Sequence, residues 1–274
     1  MVGKMRKRIA VLHDLPSYGG AALMNIIPIM YSLGIEVCPI PTSLFTSHGG
    51  FKGLSSLSTS SFMKEYTRQY KELNLSFNGI YLGLFTTTVE IVLAEDFIRS
   101  ISSEDTLIVL DPILGDNGKL YSFMKVDIVK ALKDILKKVD IITPNLTEAY
   151  LLLGEAYNEF PSEEEVIYML RSLSELGPKY VILTSVVEKG NILIYIYDKE
   201  KDSIAIIKRE KLQGSYPGTG DAFTAIVVGE LINGNSIING VTKAADFVEK
   251  GIKIILEKGY NPLEGLPLGD YLYK

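Results

Sequence analysis

The chain has 274 residues, of which 47% are hydrophobic and 22% charged, with a formal net charge of −5. That size suits one large α/β core or two small ones, and the acidic balance argues against nucleic acid as a partner. The single cysteine, Cys38, excludes an intrachain disulfide and a thiol-rich metal site, and the apolar run 9–12 behind the basic N-terminus is too short for a signal peptide or a membrane span, so a cytoplasmic location without membrane contact is expected.

Residues 8–12 predict a short buried strand that ends in the turn 13–20. A helix follows over 21–33, in which Pro28 should mark a kink or the true first turn. Gly34 stops it, and 35–40 predict the next strand, with Cys38 expected inside as a small hydrophobe. Residues 41–61 read as a long polar loop, a length that usually carries function. Then come a helix over 61–73, a strand over 79–83, a helix over 87–101 and a strand over 106–110 that runs into DPILGD, residues 111–116. An amphipathic helix over 125–139 places Ile128, Leu132, Ile135 and Leu136 on one face.

A short strand, 140–143, leads through Pro144 and Asn145 into a helix over 146–153. A longer helix opens at Ser162 with a capping box to Glu165. The strand 180–184 is followed by two β-rich runs, 191–197 and 203–209, that predict a hairpin. A loop over 211–220 enters a helix over 221–231, and a long helix over 235–258 closes the pattern. Strands alternating with helices predict a single α/β domain over residues 1–274: a mostly parallel sheet with helices on both faces and an antiparallel edge hairpin. Ligands of such sheets bind at the carboxyl ends of the strands, where Asp14, Asp111, Asp116, Asn145, Glu148, Thr184, Ser185 and Asp221 collect.

The densest signal is GSYPGTGDAFTAIVVGE, residues 214–230. Gly214, Gly218 and Gly220 allow a tight loop, and a loop entering a helix N-terminus forms an anion site from its free N–H groups. Asp221 within it reads either as a base beside a phosphate or as the helix N-cap. Asp111 and Asp116 offer oxygen ligands for a hard cation such as magnesium, or a solvated turn held by Pro112 and Gly115. Glu148 reads as a metal ligand or as the partner of Asn145 in a capping arrangement. Thr184 and Ser185 offer hydroxyls to a phosphate or to a turn. His13 and His48, far apart, carry little evidence for zinc; His48 reads as a substrate contact or as exposed. Together these are the parts that phosphoryl transfer requires.

These stretches make the chain resemble the pyridoxal kinases of the ribokinase-like superfamily, in particular the bacterial pyridoxamine/pyridoxal kinases. The matching residues are Ser17 to Gly19, Pro39 to Thr42, Phe45 to His48, Asp111 to Asp116, Gly118 to Tyr121, Ile141 to Glu148 and Gly218 to Asp221, and the match spans about residues 8–258. The resemblance implies a three-layer ribokinase-like fold and ATP-dependent phosphorylation of the 5′-hydroxymethyl group of a vitamin B6 vitamer. It makes Asp221 the base, with Gly218, Thr219 and Gly220 around the transferring phosphoryl group. It places Asp111, Asn145, Thr184, Ser185, Gly218 and Thr219 along ATP, and Asp111, Asp116 and Glu148 around Mg2+. Asp14, Tyr18, Thr42, His48 and Leu84 fall to the vitamer. A homodimer and a monovalent cation such as K+ are also implied. Asp14 stands where many relatives have Ser, which suits a cationic ring or an amine. Leu84 stands where an aromatic is common, with Phe85 as a possible substitute. Hydroxymethylpyrimidine kinases, the nearest alternative, usually have Cys at the position of Asp221. A sheet that only binds a vitamer or nucleotide is the non-enzymatic alternative.

Overall fold

The structure, a computed structural model, describes residues 6–272. In chain order its elements are β1 (Arg8–Pro16), α1 (Leu23–Ser32), β2 (Glu36–Phe45), β3 (Ser56–Ser58), α2 (Ser60–Glu72), β4 (Gly79–Leu82), α3 (Thr88–Ile101), β5 (Leu107–Leu110), β6 (Gly115–Asp116) and β7 (Lys119–Leu120). They continue as α4 (Val126–Ile135), β8 (Ile141–Ile142), α5 (Leu146–Leu153), α6 (Glu163–Glu175), β9 (Tyr180–Glu188), β10 (Asn191–Asp198), β11 (Ser203–Glu210), α7 (Thr219–Ile232), α8 (Ile237–Lys258) and α9 (Leu268–Tyr271). Nine of the strands form one sheet in the order β11-β10-β9-β8-β5-β4-β1-β2-β3. The six from β9 to β2 in that order are parallel neighbours. The pairs β9–β10, β10–β11 and β2–β3 are antiparallel and form the two edges.

Alternation along β1 explains the layers. Ala10 and Leu12 pack with residues of α2 to α6 in one cluster, while Ile9 and Val11 pack with α1, α7 and α8 in another. Successive strand side chains point to opposite faces, so a buried central strand must be apolar on both. α7 lies inside the second layer and is buried along its whole middle, Ala222 to Gly229, hence its lack of a polar face. Leu12 is fully buried one residue before the polar end of β1. Leu12→Ala should lower unfolding stability by about 2–5 kcal/mol, read as a shift of the denaturant midpoint; a shift of a few tenths would mean that the layer closes over the gap.

Several boundaries differ from expectation, each for a local reason. β1 continues to Pro16, so His13 and Asp14 lie on a strand and not in a turn; an irregularity between His13 and Leu15 keeps the pairing with β2. β2 runs to Phe45 and pairs with β3, which turns both ends of the expected loop, 41–45 and 56–58, into an antiparallel extension of the sheet. Pro28 sits inside α1, beyond its first turn. Cys38 is half-buried, and burial pushes its thiol up. Ser162 caps α6, but the Glu165 carboxylate turns to Tyr150 and Asn158, so the capping box is not closed. β6–β7 and α9 were not expected. Residues 1–5, part of the basic N-terminal stretch, lie outside the described residues. No described helix is long and apolar enough to cross a membrane.

Candidate active site

The glycine loop resolves the first ambiguity. Gly218 is the N-cap of α7 in the left-handed conformation, φ +77°, with Thr219, Gly220 and Asp221 as the first three helical residues. Asp221 is therefore not the cap. Its side chain turns toward β1, where Oδ1 lies 3.1 Å from His13 Nε2, and Oδ2 accepts the Ala22 amide at 2.7 Å. Ala22 holds that amide in place at φ +52°, a conformation that side-chain-bearing residues rarely adopt. The Asn25 side chain, itself buried, donates to Gly20 O at 2.8 Å and to Gly218 O at 3.1 Å, tying the loop after β1 to the glycine loop. The segment after α8 joins them: Gly20 N donates to Glu264 O at 2.8 Å, and Gly20 bridges Gly265.

His13 is the residue whose importance the sequence did not reveal. Its ring is buried, Nδ1 lies 2.8 Å from Asp14 Oδ1, and Nε2 faces Asp221. Burial opposes a charged imidazole, but the hydrogen bonds and charges of Asp14 and Asp221 outweigh it and raise its pKa to about 10. Burial pushes the Asp221 carboxyl up, yet the His13 hydrogen bond and charge and the Ala22 amide more than offset this and hold it below the usual value. Asp14, His13 and Asp221 thus form a row of side chains, with 208 residues of sequence separation between His13 and Asp221. One oxygen of Asp14, Oδ1, is paired with His13.

Asp111 follows β5 directly beneath the glycine loop, and a Cβ on Gly220 would lie 3.9 Å from its Oδ2. That oxygen accepts long hydrogen bonds from Thr224 Oγ1 at 3.3 Å and Tyr81 Oη at 3.4 Å. Burial, and then the Asp221 charge, raise its pKa to about 7 against the lowering effect of His13. Glu148 is buried too. Burial and the charge of Asp111 push its pKa well above the ordinary carboxylate value, against its backbone hydrogen bonds.

The remaining expected residues divide. Asn145 and Glu148 form a complete capping box on α5, and Glu148 Oε1 also takes the Leu114 amide at 3.2 Å. Asn145 Nδ2 is committed to Gly115 O at 2.9 Å. Asp116 is exposed and bonded to its neighbour Asn117. Among the described residues no group of three or more acidic, histidine or cysteine side chains is placed to hold a metal ion. Thr184 and Ser185 lie within β9 and not at its end: the strand bulges there, Ser185 takes φ +68°, and the Thr184 hydroxyl donates to Pro144 O at 3.3 Å. Ser185 is exposed.

Among the residues expected at the vitamer, Thr42 is fully buried, and its hydroxyl donates to Leu84 O at 2.8 Å, so these two residues are brought together. Phe85 is 1% exposed, packed in the core, so it does not take the place of an exposed stacking aromatic. His48 is buried with Nε2 donating to Leu263 O at 2.7 Å and Nδ1 accepting the Gly50 amide at 3.0 Å; both ring nitrogens are used within the chain. Tyr18 is exposed, and its hydroxyl donates to Glu264.

Residues 30–264 match the family model described as phosphomethylpyrimidine kinase. The hydroxymethylpyrimidine/phosphomethylpyrimidine kinase of Aquifex aeolicus is 32% identical over 193 residues, 68% of this chain and 72% of that protein. The pyridoxal kinase of Arabidopsis thaliana is 28% identical over 254 residues, 84% of this chain and 77% of that protein. A crystal structure with pyridoxal, of a Bacteroides thetaiotaomicron protein provisionally named a phosphomethylpyrimidine kinase, superposes with a TM-score of 0.95 at 36% identity, over 98% of this chain and 95% of that one.

Proposed function

The chain belongs to the phosphomethylpyrimidine kinase family of ribokinase-like phosphotransferases, and from that premise we propose that it transfers the γ-phosphoryl group of ATP to the 5′-hydroxymethyl group of a vitamin B6 vitamer. The observation that carries this reading is Asp221, a buried carboxylate in the first turn of α7 with a glycine loop beside it and donors from His13 and Ala22 on its two oxygens. Each of its oxygens accepts one donor from the chain, and a carboxylate has about four lone-pair sites, so room remains for a substrate hydroxyl. The hydroxyl oxygen forms the new bond to phosphorus, the bond to the β-phosphate oxygen breaks, ADP leaves, and the hydroxyl proton passes to Asp221. The amides at the start of α7 face the charge of the transferring group, where the helix dipole also favours an anion. Choice of the vitamer rests on pyridoxal in the Bacteroides relative.

Magnesium fits the donor set in a limited way. Asp111 and Glu148 are buried carboxylates whose pKa values are both raised, Asp111 by burial and the Asp221 charge, Glu148 by burial and the Asp111 charge, and a hard cation beside them would relieve that repulsion. Mg2+ commonly needs only one or two carboxylates plus waters and phosphates, and it would neutralise charge on the transferring phosphates. Asp111 and Glu148 are the residues that would hold it, Glu148 through water because its oxygens already accept the Asn145 and Leu114 amides; exposed Asp116 is less suited. Glu148→Gln should raise the magnesium concentration for half-maximal activity several-fold. An unchanged magnesium titration with a lowered melting temperature would leave Glu148 as a helix cap alone.

A second reading, phosphorylation of hydroxymethylpyrimidine, is favoured by the Aquifex relative. Both substrates are flat nitrogen heterocycles bearing a hydroxymethyl group, so the same base and anion loop serve either. An ADP-release assay with magnesium and potassium, run on pyridoxal, pyridoxine, pyridoxamine and hydroxymethylpyrimidine with the product mass checked, separates them. Phosphorylated vitamer as the best product supports the proposal. Hydroxymethylpyrimidine phosphate alone supports the second reading, and binding of ATP and vitamer without any ester would make the protein a binder.

A further inference from the structure

The function reading needs Asp221 and leaves His13 without a role. Yet His13 is a buried polar side chain with both ring nitrogens engaged beside the glycine loop. It is 1% exposed, and each ring nitrogen faces a carboxylate, Asp14 at 2.8 Å and Asp221 at 3.1 Å. Tyr81 packs edge-on against the ring, with centroids 5.9 Å apart. The backbone contributes one donor to Asp221, the Ala22 amide on Oδ2, and a single donor leaves a carboxylate free to rotate about its own axis. His13 supplies the second donor, on the other oxygen, and Asp14 fixes the imidazole from behind.

We propose that His13 is a positioning residue, held by Asp14, that locks the Asp221 carboxylate in the orientation from which it accepts the substrate hydroxyl proton. The inference rests on the reading of Asp221 as the base and adds to it the group that aims the base. The arrangement parallels triads in which an acid–base residue is oriented by a third group, except that here the imidazole is the strut and a carboxylate is the base. Misplacement of a reacting group by about 1 Å costs on the order of 100-fold in rate, which sets the effect expected when the strut is removed. The other ionisable groups around the row are Asp111 beneath Asp221, Tyr81 against the ring and His48 on the loop after β2; Asp111, Tyr81 and His48 remain in place in both variants below.

Two amide substitutions divide the ring. Gln at position 13 extends its amide nitrogen to about the reach of Nε2 and keeps a donor toward Asp221, whereas Asn reaches only about as far as Nδ1 and keeps the link to Asp14. His13→Asn should lower kcat for the best of pyridoxal and hydroxymethylpyrimidine by about 100-fold with the KM for that substrate and for ATP unchanged. His13→Gln should recover most of the loss. In an Asp221→Asn background, His13→Asn should cost nothing further, because His13 acts through Asp221. Independently of turnover, 13C NMR of labelled aspartate carboxyls, assigned with Asp221→Asn and Asp111→Asn, should show Asp221 titrating at higher pH in His13→Asn than in the unaltered chain.

Equal losses in both variants that follow their melting temperatures would overturn the proposal in favour of a packing role, as would kcat and an Asp221 titration that His13→Asn leaves unchanged. Full turnover by Asp221→Asn would instead overturn the function reading on which the proposal rests. Should neither alcohol be phosphorylated, the carboxyl titration decides: a larger upward movement in His13→Asn than in His13→Gln supports the strut, and equal or no movement in the two overturns it.

Discussion

Asp221→Asn should reduce turnover by about 100- to 10,000-fold, the range that a general base or its positioning supplies, while ATP still binds. The substitution keeps the shape of the side chain and an oxygen for the Ala22 amide, and removes the ability to take a proton. Its selectivity follows from the position of Asp221. Were it the N-cap of α7, its replacement would fray the helix and disturb the nucleotide along with the chemistry, but the cap is Gly218 and Asp221 is the third helical residue. A fall in kcat without a fall in ATP affinity, measured by steady-state kinetics beside ADP-binding calorimetry, is the expected signature. A loss of only a few-fold would reduce Asp221 to a structural partner of His13 and remove the base from the proposed reaction.

Gly218→Ala should act on the other half of the reaction, the cradle for the transferring phosphoryl group. Gly218 adopts φ +77°, and a Cβ there would lie 2.0 Å from Gly20 O and 2.6 Å from Asn25 Nδ2. Both atoms belong to the tie between the glycine loop and the loop after β1: Gly20 O cannot withdraw without moving backbone, and Asn25 Nδ2 can withdraw only by giving up its bonds to Gly20 O and Gly218 O. Left-handed strain costs about 1–2 kcal/mol and forced overpacking about 1–3 kcal/mol, so stability should fall by about 2–5 kcal/mol. Because the first free amides of α7 move with the loop, turnover should fall at least about 100-fold. Gly259→Ala is the matched control: it has a similar φ, +65°, at the end of α8 but nothing within 4 Å of its would-be Cβ. It should lose only the strain and leave kcat unchanged. Equal effects of the two substitutions on kcat would show that the clash at Gly218 is relieved without disturbing the loop.

The architecture was legible because it is written in periodicities. Apolar runs such as 79–82 and 107–110, spaced by amphipathic or apolar helices, specify a buried parallel sheet, and the order of elements follows. What was not legible depends on pairings between distant residues. Thr184 and Ser185 look like the end of a strand, and only the pairing with β10 makes that place a bulge. The stretch 41–45 opens with Pro41, Thr42 and Ser43, yet it extends a strand because β1 runs on beside it and β3 folds back onto it.

The site followed the same rule. Asp111, Asp221 and the Gly218–Gly220 loop announced themselves by motif, and the structure brings them together. Asn145 and Glu148 fit two readings, and their hydrogen bonds meet the capping one in full. His48 has the residue type of a ligand contact but spends both nitrogens on Leu263 and Gly50. His13 was passed over because nothing within a few residues of it, Asp14 apart, signals a role; its second partner lies in α7. A histidine on an apolar strand followed at once by aspartate is the signal that could have found it, since a buried imidazole flanked by a carboxylate commonly has another polar partner to satisfy.

The tie among Gly20, Gly218 and Gly265 has a consequence for how the protein is made. Synthesis runs from the N-terminus, and early segments can fold while later ones are still being added. β1 and the loop behind it emerge near the beginning, the glycine loop far later, and the strap that accepts the Gly20 amide at Glu264 later still. A nascent chain on the ribosome therefore cannot close this three-way tie until residue 265 has cleared the exit tunnel. Up to that moment most of the core can be sheltered while the loop after β1 still lacks its last partner.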